Sequence, residues 1–475
     1  MSKSRKEADV VKAENRKGCL QRDGVERKEY AGARSISARE SEERGGARDL
    51  LESILERDNL NQAYKQVKRN HGAPGIDGMT IEDALLWIRK HREELLQSIR
   101  KGCYKPKPVR RKEIPKPDGG TRKLGIPTVI DRIIQQAIAQ KLQPIFEPLF
   151  SDGSYGYRPK RSARQAIQKV KEHAEQGYGY AVEIDLSQYF DTLNHELLLD
   201  LLRKQISDTR VTRLIKKYLK GGVMDNGVFS RTEEGSPQGG PLSPLLANIY
   251  LNEFDQEMER RGVQVIRYAD DIVVLAKSKR AAERLLGSSR RYLEGRLKLR
   301  INLQKSKVVS VLAIKHFKFL GFCLGKNGNG IYIRAHRDSH AKAKRKLKEL
   351  TRRSQGRDVR RVMGCVKSFI RGWLGYYYVA DIKRILLSWN EWLRRRFRMY
   401  IWKQWKKPRT RVKNLKKLGI PDGLACQWGN TRLGYWRIAG SAVLSRSITN
   451  KKLVQAGYYD FPAQYEQLRL MHLCG

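Results

Sequence analysis

The chain has 475 residues, of which 40% are hydrophobic, and carries 97 Lys+Arg against 50 Asp+Glu for a formal net charge of +47. That apolar content excludes wholesale disorder and suits two to four packed units at roughly 100–200 residues per domain. So large a positive excess repels itself unless a polyanion neutralises it, and nucleic acid is the usual one. No apolar run approaches the ~18 residues of a spanning helix, and the N-terminus lacks the apolar core of a signal peptide. The expectation is a soluble, cytoplasmic protein with no membrane partner. The six cysteines, at 19, 103, 323, 365, 426 and 474, form no CxxC pair and no zinc-like spacing with histidine. They read as reduced thiols.

Residues 1–49 hold 13 basic and 10 acidic residues, one aromatic (Tyr30) and little apolar periodicity, which predicts a flexible tail. A helical pattern begins at Leu50 with Leu51, Ile54 and Leu55, then Tyr64 and Val67, and a turn cluster at Gly72–Gly78 interrupts it. That loop lacks the Gly-Lys-Ser/Thr ending of a phosphate-binding loop, so an NTPase is excluded. Arg110–Arg122 reads as a basic hairpin around the turn signal Pro117-Asp118-Gly119-Gly120. Up to about 325, short β-like runs (Ala181–Ile184, Val263–Arg267, Ile272–Leu275) alternate with helices expected at Asp131–Leu142, Ala163–Ala174 and Leu245–Met258, an α/β pattern.

Three stretches carry the chemistry. A β run ends on Asp185 and turns at once through Tyr189-Phe190-Asp191. Two adjacent aspartates, Asp270 and Asp271, lie between two apolar strands. Between these stretches, Gly235–Pro244 forms a Gly/Pro loop before a helix. Ionised carboxylates at a hairpin tip are very costly to bury unpaired. Three of them converging from two strands suit two Mg²⁺ ions, which take oxygen ligands and neutralise the repulsion. In the loop, glycines allow the backbone close to a flat ligand, and Gln238 offers an amide that both donates and accepts.

In order and spacing these stretches resemble motifs A, B and C of reverse transcriptases: Asp185 to Gln238 is 53 residues and Gln238 to Asp270 is 32. The resemblance implies that Asp185, Asp270 and Asp271 are catalytic metal ligands. It implies further that Gln238 and Gly239 line the dNTP pocket, that Phe190 is the steric gate against a ribose 2′-hydroxyl, and that Lys116 and Arg122 clamp the triphosphate. Leu124–Ala137, Ser154–Pro159 and Ser243–Leu251 look like group II intron proteins specifically, with closest likeness to the bacterial class C enzymes. Leu299–Lys307 resembles motif D, with Lys305 the candidate general acid, and Phe319-Leu320-Gly321 resembles the primer grip.

Residues 331–475 hold 34 Lys+Arg against 8 Asp+Glu, a net of 34 − 8 = +26, and seven of the eight tryptophans. Ile382, Leu386, Trp389 and Leu393 mark one buried helical stripe. Arg394, Arg395, Arg396 and Arg398 occupy other faces, where cations beside stacking rings suit RNA. By position this region matches the family's thumb, or maturase domain X, and 426–475 its DNA-binding module.

The expected architecture is a right-hand α/β polymerase: a tail at 1–49, a fingers extension at 50–110, fingers and palm with an antiparallel palm sheet at 111–325, a helical thumb at 326–425, and a C-terminal module at 426–475. The expected function is RNA-directed DNA polymerisation for a mobile group II intron, with assistance to splicing and retrohoming. Intron RNA, an RNA template with a DNA primer, target DNA and dNTPs are the implied partners. Two rivals are a splicing-only RNA chaperone and a domesticated reverse transcriptase of another element. The intact Asp185, Asp270 and Asp271 oppose the first, and the intron-like thumb opposes the second. Beyond residue 340 the only histidine is His472 and there are no cysteine pairs, so an HNH endonuclease and second-strand nicking are not expected.

Overall fold

The computed structural model describes residues 49–115, 121–225, 228–230, 234–235 and 239–473. They form two compact units that divide between Val311 and Leu312. Among the described residues no helix is long and apolar enough to cross a membrane.

In the first unit, α1 (Leu50–Leu55), α2 (Arg57–Arg69) and α3 (Ile81–Arg100) precede the hairpin of β1 (Val109–Pro115) and β2 (Thr121–Ile126). A capping box starts α3: Thr80 Oγ1 accepts from the Asp83 N–H while the Asp83 carboxylate accepts from the Thr80 N–H. Next come α4 (Val129–Phe146), α5 (Ala163–Glu175), β3 (Tyr180–Ile184), α6 (His195–Arg203), α7 (Thr209–Leu219), β4 (Val223–Asp225), β5 (Val228–Ser230), α8 (Ser243–Arg260), β6 (Gln264–Tyr268), β7 (Asp271–Ala276), α9 (Lys279–Arg291) and β8 (Lys307–Ser310). Ser162, Asn194, Asp208 and Ser278 cap their helices through side-chain oxygens. Helices α4 and α8 are apolar on most faces because they pack against each other inside the main core.

Two sheets organise this unit. The palm sheet has the order β6-β7-β3-β8 with every pair antiparallel, as expected. The other runs β2-β1-β4-β5, where β1 pairs antiparallel with β2 and parallel with β4. The basic hairpin is therefore real, while its tip at 116–120, with Lys116, lies outside the described residues.

The second unit opens with the hairpin of β9 (Phe322–Asn327) and β10 (Gly330–Ala335). Helices α10 (Arg337–Leu350), α11 (Val359–Tyr377), α12 (Lys383–Gln404), α13 (Pro408–Lys417), α14 (Asp422–Gly429), α15 (Tyr435–Ala439), α16 (Ala442–Ser447), α17 (Asn450–Gln455) and α18 (Phe461–Leu473) follow. Ile382, Leu386, Trp389 and Leu393 are all buried, as the helical stripe required. The segment after 426 packs back onto α12 through α15 and α18.

Candidate active site

The palm register brings the motif A and motif C carboxylates to neighbouring positions. Ile184 pairs with Ile272, so Asp185, one residue on, stands across from Asp271 at the ends of adjacent strands. Tyr268 pairs with Asp271, leaving Ala269-Asp270 as a two-residue turn. Asp270 and Asp271 are exposed and Asp185 is half-buried. Side chains that point in one direction from neighbouring strand ends can share a ligand, and carboxylate oxygens suit hard divalent cations. In their present rotamers no three His, Cys, Asp or Glu among the described residues lie close enough to hold an ion. The donor chemistry and the strand-end placement fit a divalent ion, and side-chain rotation is what would bring the carboxylates onto it.

The turn that carries Asp270 is built with strain and braced from behind. Ala269 adopts φ +59, a conformation that costs an L-residue ~1–2 kcal/mol. Its carbonyl accepts from Arg267 Nη1 at 3.1 Å. Arg267 is fully buried and makes a forked pair with Asp255 of α8, Nε donating to the two carboxylate oxygens at 3.0 and 2.8 Å. Nη1 also donates to Asn248 Oδ1 at 2.9 Å and Nη2 to Ser154 Oγ at 2.8 Å. Asn248 in turn donates to the Gly156 carbonyl at 2.7 Å. Gly156 lies so close to the turn that a Cβ there would sit 2.2 Å from the Ala269 nitrogen. Sequence reasoning assigned no role to Arg267, Asp255, Asn248, Ser154, Gly156 or Ala269. The available signal was a cation at an inward strand position next to the Asp pair.

Asp185 is held through its backbone: its N–H donates to Ser306 Oγ at 3.0 Å and its carbonyl accepts from the Asn302 N–H at 2.8 Å. The same loop carries Lys305, which is exposed and whose N–H donates to Asn302 Oδ1 at 3.3 Å. Phe190 is 6% exposed in a short 3₁₀ turn, its ring centroid 5.3 Å from that of Tyr189, and it belongs to the main apolar core.

Gln238 lies outside the described residues, but the anchors of its loop are visible. Gly235, at φ +87, would bring a Cβ to 2.7 Å from the Asp191 backbone, and Gly239, at φ +120, to 2.4 Å from the Gly125 carbonyl oxygen. Gly235 therefore sits against the motif A turn and Gly239 against β2, and only glycine fits at either position. His195 is buried with Nε2 2.5 Å from the Gly235 carbonyl, and its Nδ1 has no partner among the described residues. That geometry describes a neutral ring donating from Nε2. Burial holds its pKa below the ordinary value, and Lys220 adds to this, against the opposing effects of Gly235, Glu196 and Glu234.

Cations of the basic hairpin act on this region. Burial raises the Asp191 pKa, while Arg111, Lys123 and Arg122 pull it back down. The Tyr157 phenol is raised by burial and then by Asp270, and lowered by Arg122. Arg122 and Asp270 thus act with opposite sign on one side chain.

In the second unit, Phe319-Leu320-Gly321 forms a tight turn closed by Phe319 N–H to Phe322 O at 3.1 Å and the reverse bond at 2.8 Å. Leu320 (φ +51) and Gly321 (φ +80) are both left-handed, and the Leu320 carbonyl accepts from Tyr376 Oη at 3.0 Å. All four candidate arginines have protein partners. Arg394 pairs with Asp460 at 3.3 Å, and Arg395 donates to the Trp436 carbonyl at 2.9 Å. Arg396 donates to the Lys348 and Thr351 carbonyls at 3.0 Å, and Arg398 to the Ile448 carbonyl and Asn450 Oδ1 at 2.9 Å. These contacts tie α12 to its neighbours and to the C-terminal helices.

Residues 114–324 match the reverse transcriptase (RNA-dependent DNA polymerase) family, and residues 340–419 match the group II intron maturase-specific domain. Protein YkfC of Escherichia coli is 39% identical over 306 residues, covering 55% of this chain and 79% of that one. Group II intron-encoded protein LtrA of Lactococcus lactis is 39% identical over 208 residues, 44% of this chain and 34% of LtrA. The putative COX1/OXI3 intron 2 protein of Saccharomyces cerevisiae is 32% identical over 202 residues, 42% of this chain and 23% of that one. The chain therefore spans about a third or less of the length of these two intron proteins. An antiparallel palm sheet with carboxylates at its strand ends, followed by a maturase-specific helical region, places the chain in the group II intron reverse transcriptase/maturase family, whose members are RNA-directed DNA polymerases that use divalent metal ions and work on RNA and DNA.

Proposed function

We propose that this chain extends a DNA primer by dNTP addition on an RNA template, and that the RNA it serves is a group II intron whose splicing and retrohoming it assists in the cytoplasm. Asp185, Asp270 and Asp271 would hold two Mg²⁺ ions, which when bound lower the pKa of the primer 3′-hydroxyl and stabilise charge on the triphosphate. Arg122 and Lys116 supply positive charge for the phosphates. Gln238 and Gly239 line the base and sugar side, and Phe190 excludes a 2′-hydroxyl. Lys305 donates a proton to the departing pyrophosphate, and the Phe319–Gly321 turn supports the primer.

The observation that carries this reading is the register that sets Asp185 opposite Asp271 with Asp270 at the adjoining turn. Primer extension by the purified chain on an RNA template tests it. Magnesium-dependent synthesis, abolished by Asp270→Ala, is expected, and templated synthesis by that variant would refute the assignment. Stimulation of splicing of the cognate intron RNA tests the second role, and a chain that polymerises yet never stimulates splicing would remove it.

A further inference from the structure

The candidate arginines are occupied within the second unit, yet beside them lies an open groove of about 630 Å³. Lys344, Arg345 and Lys348 of α10 line it with Arg396 of α12, and the rings of Trp392 and Trp436 complete the wall. Among the described residues no acidic side chain lines it. The three α10 cations are exposed, and Trp436 is 39% exposed, unlike the buried anchors Trp389 and Trp402.

The rings are held in place. Arg395 lies 4.1 Å from the Trp436 ring centroid while donating to the carbonyl of the same residue. Gly440 makes room for it, since a Cβ there would sit 2.6 Å from Arg395 Cζ. Lys344 and Arg396 lie 5.6 and 5.1 Å from the Trp392 centroid. One exposed and one half-buried ring set among cations, with no acid in the lining, suit bases and phosphates together. A duplex keeps its base faces stacked on each other, so a ring platform favours an unpaired strand. The volume falls within the usual range of a small-ligand cleft, enough for a base and its neighbouring phosphates.

We propose that this groove binds an unpaired stretch of RNA, one base stacking on Trp436 and the adjoining phosphates meeting Lys344, Arg345 and Lys348. The assignment to RNA rests on the groove's cations on α10 and α12 and Trp392 lying within the match to the maturase-specific domain at 340–419, with Trp436 contributed from beyond it, and does not depend on the polymerase chemistry. The test is binding of the full chain to a fluorescent 12-nucleotide oligoadenylate RNA and to a 12-base-pair blunt RNA duplex. Trp436→Ala should weaken the single strand by about fivefold or more, the low end of the effect of one lost stacked base. Trp436→Phe should restore it, and the duplex affinity should change less than twofold. Lys344→Gln with Lys348→Gln should flatten the salt dependence for the single strand. Equal loss for strand and duplex, an unchanged single-strand affinity in Trp436→Ala, or failure of phenylalanine to rescue would each overturn the proposal. Primer extension by Trp436→Ala scores the polymerase separately, so failure of one reading leaves the other standing.

Discussion

Arg267 donates from Nη1 to the carbonyl of Ala269 at 3.1 Å, bracing the residue immediately before Asp270. The guanidinium is fully buried and its charge is met by Asp255, itself 2% exposed. Such a pair is costly to break from one side, because the surviving charge is left without solvent or partner.

Asp255→Ala should therefore destabilise the chain by about 3–5 kcal/mol, read as a lowered urea midpoint. Asn248→Ala, which removes one acceptor for Arg267 and the donor to Gly156, should lose only ~1–3 kcal/mol. Under conditions where Asn248→Ala stays folded, its kcat should fall while its affinity for primer–template is unchanged. Unaltered kcat in the folded variant would mean that the turn holds its shape without this brace.

Asp270→Ala should abolish primer extension, because a metal loses its ligand and the triphosphate loses its counter-charge. Affinity for RNA should stay near that of the wild type, since most cations lie elsewhere in the sequence. A variant retaining even about a tenth of the normal rate, a barrier change of only ~1.4 kcal/mol, would remove the metal assignment.

Phe190→Val should lower the preference for dNTP over rNTP by about tenfold or more, equivalent to ~1.4 kcal/mol. Valine is the better test than alanine, because Phe190 is buried beside Tyr189 and its truncation to alanine in a core costs about 3–5 kcal/mol. The ratio of kcat/KM values for the two nucleotides decides the matter: if it is unmoved, Phe190 serves packing alone.

Arg398→Gln should lower the melting temperature, since the guanidinium satisfies the Ile448 carbonyl at the end of α16 and Asn450 at the start of α17. The salt dependence of RNA binding should keep its slope, because an occupied guanidinium releases no counterion. A slope reduced by about one phosphate contact, with the melting temperature intact, would return Arg398 to the RNA surface.

Acid should loosen the contact between His195 and Gly235, because the His195 pKa is lowered mainly by burial. The unfolded chain takes up the proton near the ordinary histidine value of ~6.5, and the folded chain only below it. Stability is therefore full above that value and falls as the pH drops from it toward the folded pKa. His195→Gln keeps an N–H for the Gly235 carbonyl and cannot titrate. Between pH 7.5 and pH 5 the wild type should lose more melting temperature than the variant. Equal losses would show that other groups carry the acid sensitivity.

Much of the molecule was legible from local pattern. Apolar alternation located β3, β6 and β7 to within a residue or two, helical spacing located α4, α5 and α8, and Pro-Asp-Gly-Gly announced the β1–β2 hairpin. Asp185, Asp270 and Asp271 stood out because ionised carboxylates beside apolar strands need a reason. These are signals within one turn or one strand, where propensity and solvation act on neighbours in the chain. What only the tertiary structure decided are the partnerships across it. Arg267 looked like any strand residue until folding set it against Ser154, 113 positions away, and Asp255 on α8. Arg394, Arg395 and Arg398 read as a basic face in the sequence, and folding sets them against Asp460, the Trp436 carbonyl and the Ile448 carbonyl, while Arg396 meets the carbonyls of Lys348 and Thr351. A buried charge is satisfied by whatever the topology brings within hydrogen-bond reach, and no local pattern in the sequence encodes that neighbour.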